Sequence, residues 1–118
     1  MVINQGDVFW VDVKPPMGSE PGFRRPHVVI QNNVMNHTRI ATTVVCALTT
    51  NLQRAAAPGN VLLARDEANL PKPSIVNVSQ VLTLDKTKLQ EKIGTLSRSR
   101  VREILDGFRL ITEPQEIE

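Results

Sequence analysis

Short apolar runs separated by turn-forming residues fill most of this chain, and only its C-terminal end changes period. Residues 7–13 (Asp-Val-Phe-Trp-Val-Asp-Val) predict a strand, being β-branched or aromatic between acidic positions. Trp10 is expected in the core, with an exposed platform for a base as the less common alternative. Lys14-Pro15-Pro16 stops this strand, and Gly18, Pro21 and Gly22 mark a loop. A second strand is expected over residues 27–31, with Asn32-Asn33 opening the turn after it. Residues 40–48 are nearly uncharged and predict a third strand covered on both faces. Residues 52–58 form a connection whose structure the pattern leaves open. Residues 60–64 read as a short strand, and residues 65–70 as one helical turn broken by Pro71 and Pro73. Two further strands are expected at 74–78 and 81–84, either side of Ser79-Gln80. A turn of helix at 86–89 and a last strand at 92–95 follow.

From residue 97 the apolar positions move to a 3.6-residue period: Val101, Ile104, Leu105, Phe108 and Ile111. A helix is predicted over 97–112, capped by Ser97 or Ser99 and ended by Pro114. Gly107 lies inside it at a cost of about 1 kcal/mol relative to alanine, which predicts close packing there. Many short strands followed by one amphipathic helix describe a mainly β fold. The expectation is a small barrel or strongly bent sheet plugged by the C-terminal helix, one domain over residues 1–118.

Charge changes this picture little. A net charge of +2 and a pI near 9.0 permit a nucleic-acid partner without requiring one. The single cysteine, Cys46, excludes an internal disulfide and a cysteine-based zinc site. Its place in an apolar strand predicts a small buried hydrophobe, not a nucleophile. No apolar run reaches membrane-spanning length and the N-terminus lacks a signal-type hydrophobic stretch, so a cytoplasmic protein without a membrane partner is expected. His27 and His37 stand ten residues apart with no His-Glu-x-x-His, Cys-x-x-Cys or aspartate cluster. No metal and no cofactor are therefore predicted. Phosphate-binding loops of the Gly-x-x-x-x-Gly-Lys and Gly-x-Gly-x-x-Gly kinds are absent, as is a Gly-x-Ser-x-Gly elbow.

Arg24-Arg25-Pro26 is the stretch with most chemical content. A residue before proline is biased to extended backbone, so these guanidiniums leave a strand start held by the scaffold. Paired guanidiniums suit a planar, oxygen-rich anion such as phosphate, although a solvated surface is the commoner fate of such a pair. RNA is a substrate for which arginine and hydroxyls can suffice, because its 2′-hydroxyl is a nucleophile already beside the phosphate. Arginine stabilises charge well but carries protons poorly, its pKa exceeding about 12.

Several blocks in order carry a resemblance. They are residues 6–12 (Gly-Asp-Val-Phe-Trp-Val-Asp), Gly18-Ser19-Glu20, Arg25-Pro26 before Val28-Val29-Ile30, and residues 44–50 (Val-Val-Cys-Ala-Leu-Thr-Thr). Further along come residues 58–61 (Pro-Gly-Asn-Val), 74–80 (Ser-Ile-Val-Asn-Val-Ser-Gln), 83–89 (Thr-Leu-Asp-Lys-Thr-Lys-Leu) and 93–96 (Ile-Gly-Thr-Leu). Together they resemble the MazF/PemK family of toxin endoribonucleases over nearly the whole chain. The resemblance implies an SH3-like barrel of the MazF/CcdB type, forming a homodimer with single-stranded RNA grooves across its interface. It implies metal-independent cleavage of mRNA at short motifs, leaving 2′,3′-cyclic phosphate and 5′-hydroxyl ends, with Arg25 and Thr49 acting together at the scissile phosphate. It also implies RNA contacts from Ser19, Glu20, Arg24, Ser79 and Gln80, and a MazE-type antitoxin that occupies the same groove and binds DNA with the toxin. Glu20 as a solvated loop carboxylate, and Gln80 as a structural hydrogen bonder, remain open alternatives. Two other classes stay in view. One is a non-catalytic gyrase-binding toxin like CcdB, whose Trp-Gly-Ile ending this chain lacks. The other is a non-catalytic RNA-binding barrel, against which the scarcity of aromatic residues counts.

Overall fold

The computed structural model, which describes residues 2–13 and 23–117, is a curled antiparallel sheet of six strands. These are β1 (Asp7–Val13), β2 (Phe23–Val29), β3 (Thr42–Thr49), β4 (Val61–Leu63), β5 (Ser74–Asp85) and β6 (Lys92–Thr95). Their order across the sheet is β4-β5-β3-β2-β1-β6. A short helix, α1 (Asn33–Asn36), joins β2 to β3, and α2 (Arg98–Thr112) follows β6. The uncharged run expected to be covered on both faces becomes β3, flanked by β2 and β5. Its alternating residues feed two cores. Cys46 and Leu48 join Val8, Val28, Val76 and Ile104 on one face, while Val45 joins Phe9, Val11, Val29 and Leu89 on the other. Each large side chain buried this way contributes about 1.5–3 kcal/mol.

The second strand begins earlier than its sequence suggests, at Phe23 instead of His27, with Pro26 inside it and opposite Trp10. The backbone of Trp10 explains why this is tolerated. Its N–H donates to the Glu91 carbonyl at 3.0 Å and its carbonyl accepts from the Gln90 N–H at 2.9 Å. Trp10 and Pro26 are thus a non-hydrogen-bonded pair, and the nitrogen of Pro26 faces β3, whose ladder starts only at His27. A second difference lies at Ser79-Gln80. Instead of separating two strands, they belong to one continuous β5, in which residues 77–80 stand opposite Ala47 alone before pairing resumes. The bulge absorbs the extra residues, so a polar pair can interrupt the apolar pattern without ending the strand. Trp10 also departs from expectation, since it is partly exposed and absent from both cores.

The ends of the sheet, β4 and β6, approach one another through the 3₁₀ turn Glu67–Asn69. Ala68 and Asn69 take left-handed backbone there (φ 49° and 59°), which turns the Asn69 side chain to donate to the Ile93 carbonyl at 3.1 Å. Gly94 admits the Ala68 backbone at a distance no side chain would allow. Arg100 of α2 then forks onto Glu67, at 2.8 and 2.9 Å. That bond holds the Glu67 carboxyl below its ordinary range and pins the helix over the closure.

Helix α2 starts where expected. The Ser97 hydroxyl accepts from the Arg100 N–H at 3.2 Å, the usual satisfaction of a free N-terminal donor. Only Ile104 and Gly107 of the helix are buried, and Ile111 is 41% exposed. Gly107 does have the close neighbour its position predicted: it meets the backbone of Gly59, itself at φ +81°. No helix among the described residues is long and apolar enough to cross a membrane.

Gly107→Ala would stabilise an isolated helix by about 1 kcal/mol, but here the new methyl meets the Gly59 carbonyl. Overpacking of this kind costs about 1–3 kcal/mol. Net destabilisation is expected in urea unfolding, and a variant as stable as the parent would show that the helix shifts freely on the sheet.

Candidate functional site

The register of β2 on β3 builds the site. The strands pair as His27 with Ala47, Val28 with Cys46 and Val29 with Val45. The ladder stops there; Arg25 lies two residues before His27, and Thr49, the last residue of β3, two residues after Ala47. Strand alternation puts Arg25 and Thr49 on the face that carries His27 and Ala47. Arg24 and Pro26 fall on the opposite face, with Trp10 and Asp12 of β1. The two arginines therefore leave β2 in opposite directions, as an extended segment requires.

Both reach the wall of one open cleft of about 330 Å³ at the end of β2 and β3. Among the described residues, its charged lining is Arg24, Arg25 and Lys72, with no carboxylate. Thr49, Thr50 and Ser74 supply hydroxyls, while Pro26, Leu48, Leu70 and Pro71 form apolar walls beside Trp10. The Thr49 hydroxyl accepts the Asn51 N–H at 3.2 Å, which orients it where β3 gives way to the 3₁₀ turn Leu52–Ala56. Ser74 donates back to the Lys72 carbonyl at 3.0 Å and shapes the approach to β5. Cationic side chains and hydroxyls around an apolar floor suit a phosphate-bearing ligand with a flat, weakly polar part.

Arg24 is fixed on its own side of the strand. Its Nε donates to Gln90 Oε1 at 2.9 Å, its guanidinium lies 4.9 Å from the centre of the Trp10 ring, and Glu91 is 3.9 Å away. Gln90 in turn donates to Asp12 at 2.7 Å.

Of the residues expected from sequence, the fold brings together Arg24, Arg25 and Thr49. Ser79 and Gln80 do not line this cleft; they are exposed on the β5 bulge, where the Ser79 hydroxyl donates to Asn77 Oδ1 at 2.9 Å. Ser19 and Glu20 lie outside the described residues. Lys72 was missed as a cleft residue, and Trp10 lines the cleft as its less common alternative had it, not the core. Pro71 and Pro73 either side of Lys72 were the available signal, since they hold a cation on a short restricted link. Cys46 is buried, donates to the Asn77 carbonyl at 3.1 Å and has its thiol pushed up to about 12 by burial. It is therefore not a nucleophile. Among the described residues no three His, Cys, Asp or Glu side chains gather as metal ligands would.

Comparison with known proteins follows the same lines. Residues 4–112 match the family described as PemK-like, MazF-like toxin of type II toxin–antitoxin system. The chain is 40% identical over 113 residues to endoribonuclease MazF6 of Mycobacterium tuberculosis (strain ATCC 25618 / H37Rv), covering 96% of this chain and 99% of that one. It is 38% identical over 103 residues to endoribonuclease MazF of Staphylococcus epidermidis, covering 87% and 85%. Among solved structures, the fold resembles an endoribonuclease in complex with its cognate antitoxin from a mycobacterial species, with a TM-score of 0.75, 23% identity and coverage of 97% and 99%. It also resembles MazE-MazF from Deinococcus radiodurans, with a TM-score of 0.76, 18% identity and coverage of 98% and 99%.

His27, two residues from Arg25 on the same face, is fully buried. Its Nδ1 lies 3.1 Å from the Arg25 carbonyl oxygen. That oxygen can only accept, so Nδ1 carries the proton and Nε2 is the lone-pair nitrogen, buried without a partner. Burial lowers the His27 pKa from 6.5, with the Arg25 charge acting in the same direction and the backbone bond opposing both. The folded state therefore resists a proton that the unfolded state accepts near pH 6.5, and stability is lost as pH falls below that value. His27→Val removes both the orphan nitrogen and this slope. Urea unfolding between pH 7.5 and about 5.5 is expected to show the variant gaining on the parent as pH falls. Parallel curves would place the slope on other groups.

Proposed function

The chain belongs to the PemK-like, MazF-like toxin family of type II toxin–antitoxin systems, and we propose that it is an endoribonuclease cutting single-stranded RNA, mRNA included, without a metal ion. The observation that carries this reading is that Arg25 and Thr49 line one cleft whose charged lining, among the described residues, is cationic. In the reaction the 2′-hydroxyl attacks its own phosphorus, and the bond from phosphorus to the 5′-oxygen of the next nucleotide breaks. The products are a 2′,3′-cyclic phosphate and a 5′-hydroxyl. Because the substrate holds its own nucleophile, the protein has to align attack and departure and stabilise the added charge. The Arg25 guanidinium offers two parallel N–H groups to the non-bridging oxygens as that charge grows. The Thr49 hydroxyl, held at a strand end, adds a third donor on the same face.

Curated relatives of this chain are named endoribonucleases, and similar folds have been solved with an antitoxin. By extension the chain acts in the cytoplasm as a homodimer, is held inactive by a MazE-type antitoxin, and binds DNA together with it. Ser79 and Gln80, outside the cleft, are assigned to RNA recognition, as are Ser19 and Glu20.

Cleavage of a mixed RNA pool is expected to persist in EDTA, with sequenced ends bearing the 5′-hydroxyl. A 2′-deoxy sugar 5′ of the cut should abolish it, and cutting of all-DNA oligonucleotides would overturn the mechanism. Arg25→Lys keeps the charge but loses the fork, so turnover is expected to fall about 10²–10³-fold, as for loss of one transition-state donor, while RNA still binds. A single-turnover rate equal to the parent's would remove Arg25 from catalysis. Sedimentation at micromolar protein is expected to give twice the chain mass; one chain mass would count against a shared groove.

A further inference from the structure

We propose that Trp10 and Arg24 form a stacking platform for one nucleobase of the bound RNA, so that the cleft grips a nucleotide by its base as well as its phosphate. The inference rests on the nuclease reading above and adds a subsite to it. The chain has one tryptophan and no tyrosine, and it leaves that indole partly exposed in a cleft wall when β1 could have buried it. Stacked on the indole is a guanidinium whose position is specified on several sides. Gln90 accepts from its Nε at 2.9 Å, Asp12 fixes Gln90 at 2.7 Å, and Glu91 lies 3.9 Å from its Nη2. The Trp10 backbone is anchored to the same β6 approach through Gln90 and Glu91. Pro26 stands directly across from Trp10 in the ladder, and all three residues line the same cleft.

A surface cation serving only to attract phosphate needs freedom to follow it. Arg24 is held instead, with its side chain still 46% exposed. A rigid planar cation backed by an aromatic ring is a stacking surface for a base, because guanidinium planes and aromatic faces both receive nucleobases. Lys72 and Arg25 line the same cleft and supply the charge for the adjoining phosphates. A flat apolar wall with cations beside it matches a nucleotide better than either a bare anion or an apolar ligand. Stacking tolerates any base, so this subsite sets affinity and register along the strand, and the choice of motif falls to hydrogen-bonding groups elsewhere.

The sole tryptophan makes the test direct. The probe is an oligoribonucleotide spanning a mapped cut, with a 2′-deoxy sugar at the nucleotide 5′ of the scissile bond so that it binds without being cleaved. Titration is expected to change Trp10 emission saturably, with the same midpoint as anisotropy of a labelled probe. Replacing one nucleotide flanking the cut with an abasic residue should abolish the emission change and weaken binding. On cleavable RNA, Trp10→Leu should raise KM about tenfold or more with kcat changed far less, and Trp10→Phe should recover part of the loss. Circular dichroism melting separates this from unfolding. If emission ignores bound RNA, or every abasic probe binds like the parent oligonucleotide, the platform is overturned while the nuclease reading stands. Parent protein that leaves all RNA intact overturns the nuclease reading and the platform with it.

Discussion

Register between β2 and β3 is the constraint on which both the core and the cleft depend. Val28 against Cys46 feeds one core and Val29 against Val45 feeds the other. A slip by one residue would turn both sets to the wrong faces. Two residues beyond that ladder in each strand, Arg25 and Thr49 line the same cleft. The energy holding the proposed catalytic pair in place is therefore not local to the pair. It comes from a ladder of apolar side chains buried on both sides.

Much of this was legible because local signals agreed with the global fold. Residues 92–95 and the stripe from Val101 to Phe108 appear as β6 and α2 because period, capping serine and flanking turns all point one way. Gly107 was legible for the opposite reason: a helix tolerates an interior glycine when something must come close, and Gly59 does. The start of β2 was hidden by Pro26, since sequence does not reveal that the proline nitrogen faces the one side where no ladder exists. The continuity of β5 was hidden by Ser79-Gln80, which read as a break until the bulge opposite Ala47 is known. Of the cleft, Arg25 stood out in the Arg-Arg-Pro stretch, whereas Thr49 was accessible only through resemblance, because it lies more than twenty residues away in another strand. Lys72 belongs to a link whose approach to β3 no local pattern encodes.

Trp10 shows how an averaged rule misleads at a particular residue. Large aromatic side chains are mostly buried, and β1 alternates so that Val8, on the same side of the strand, is fully buried. Two residues on, Trp10 is partly exposed and lines the cleft, not either core. The backbone there is not loose, because its amide and carbonyl are both claimed by the stretch before β6. An aromatic ring at the rim of a curled sheet is thus rigid and partly wet at once, a combination that buried or loop-borne aromatics do not offer.

The sheet end that carries the cleft and the end closed by α2 are stabilised by different physics. At the closure, Glu67 and Arg100 meet through two short charge-assisted bonds, and two glycines let backbones touch. Their geometry is satisfied within the chain. Around the cleft, Arg24, Arg25 and Lys72 converge on a space with no carboxylate among its described lining residues. Like charges held together cost stability, and beneath them His27 keeps a buried nitrogen without a partner, at roughly 1–3 kcal/mol. A fold spends stability in this way where a ligand of opposite charge restores it. A polyanion entering the cleft would offset the repulsion among these cations, which ties the stability of the free protein to the affinity of the occupied one.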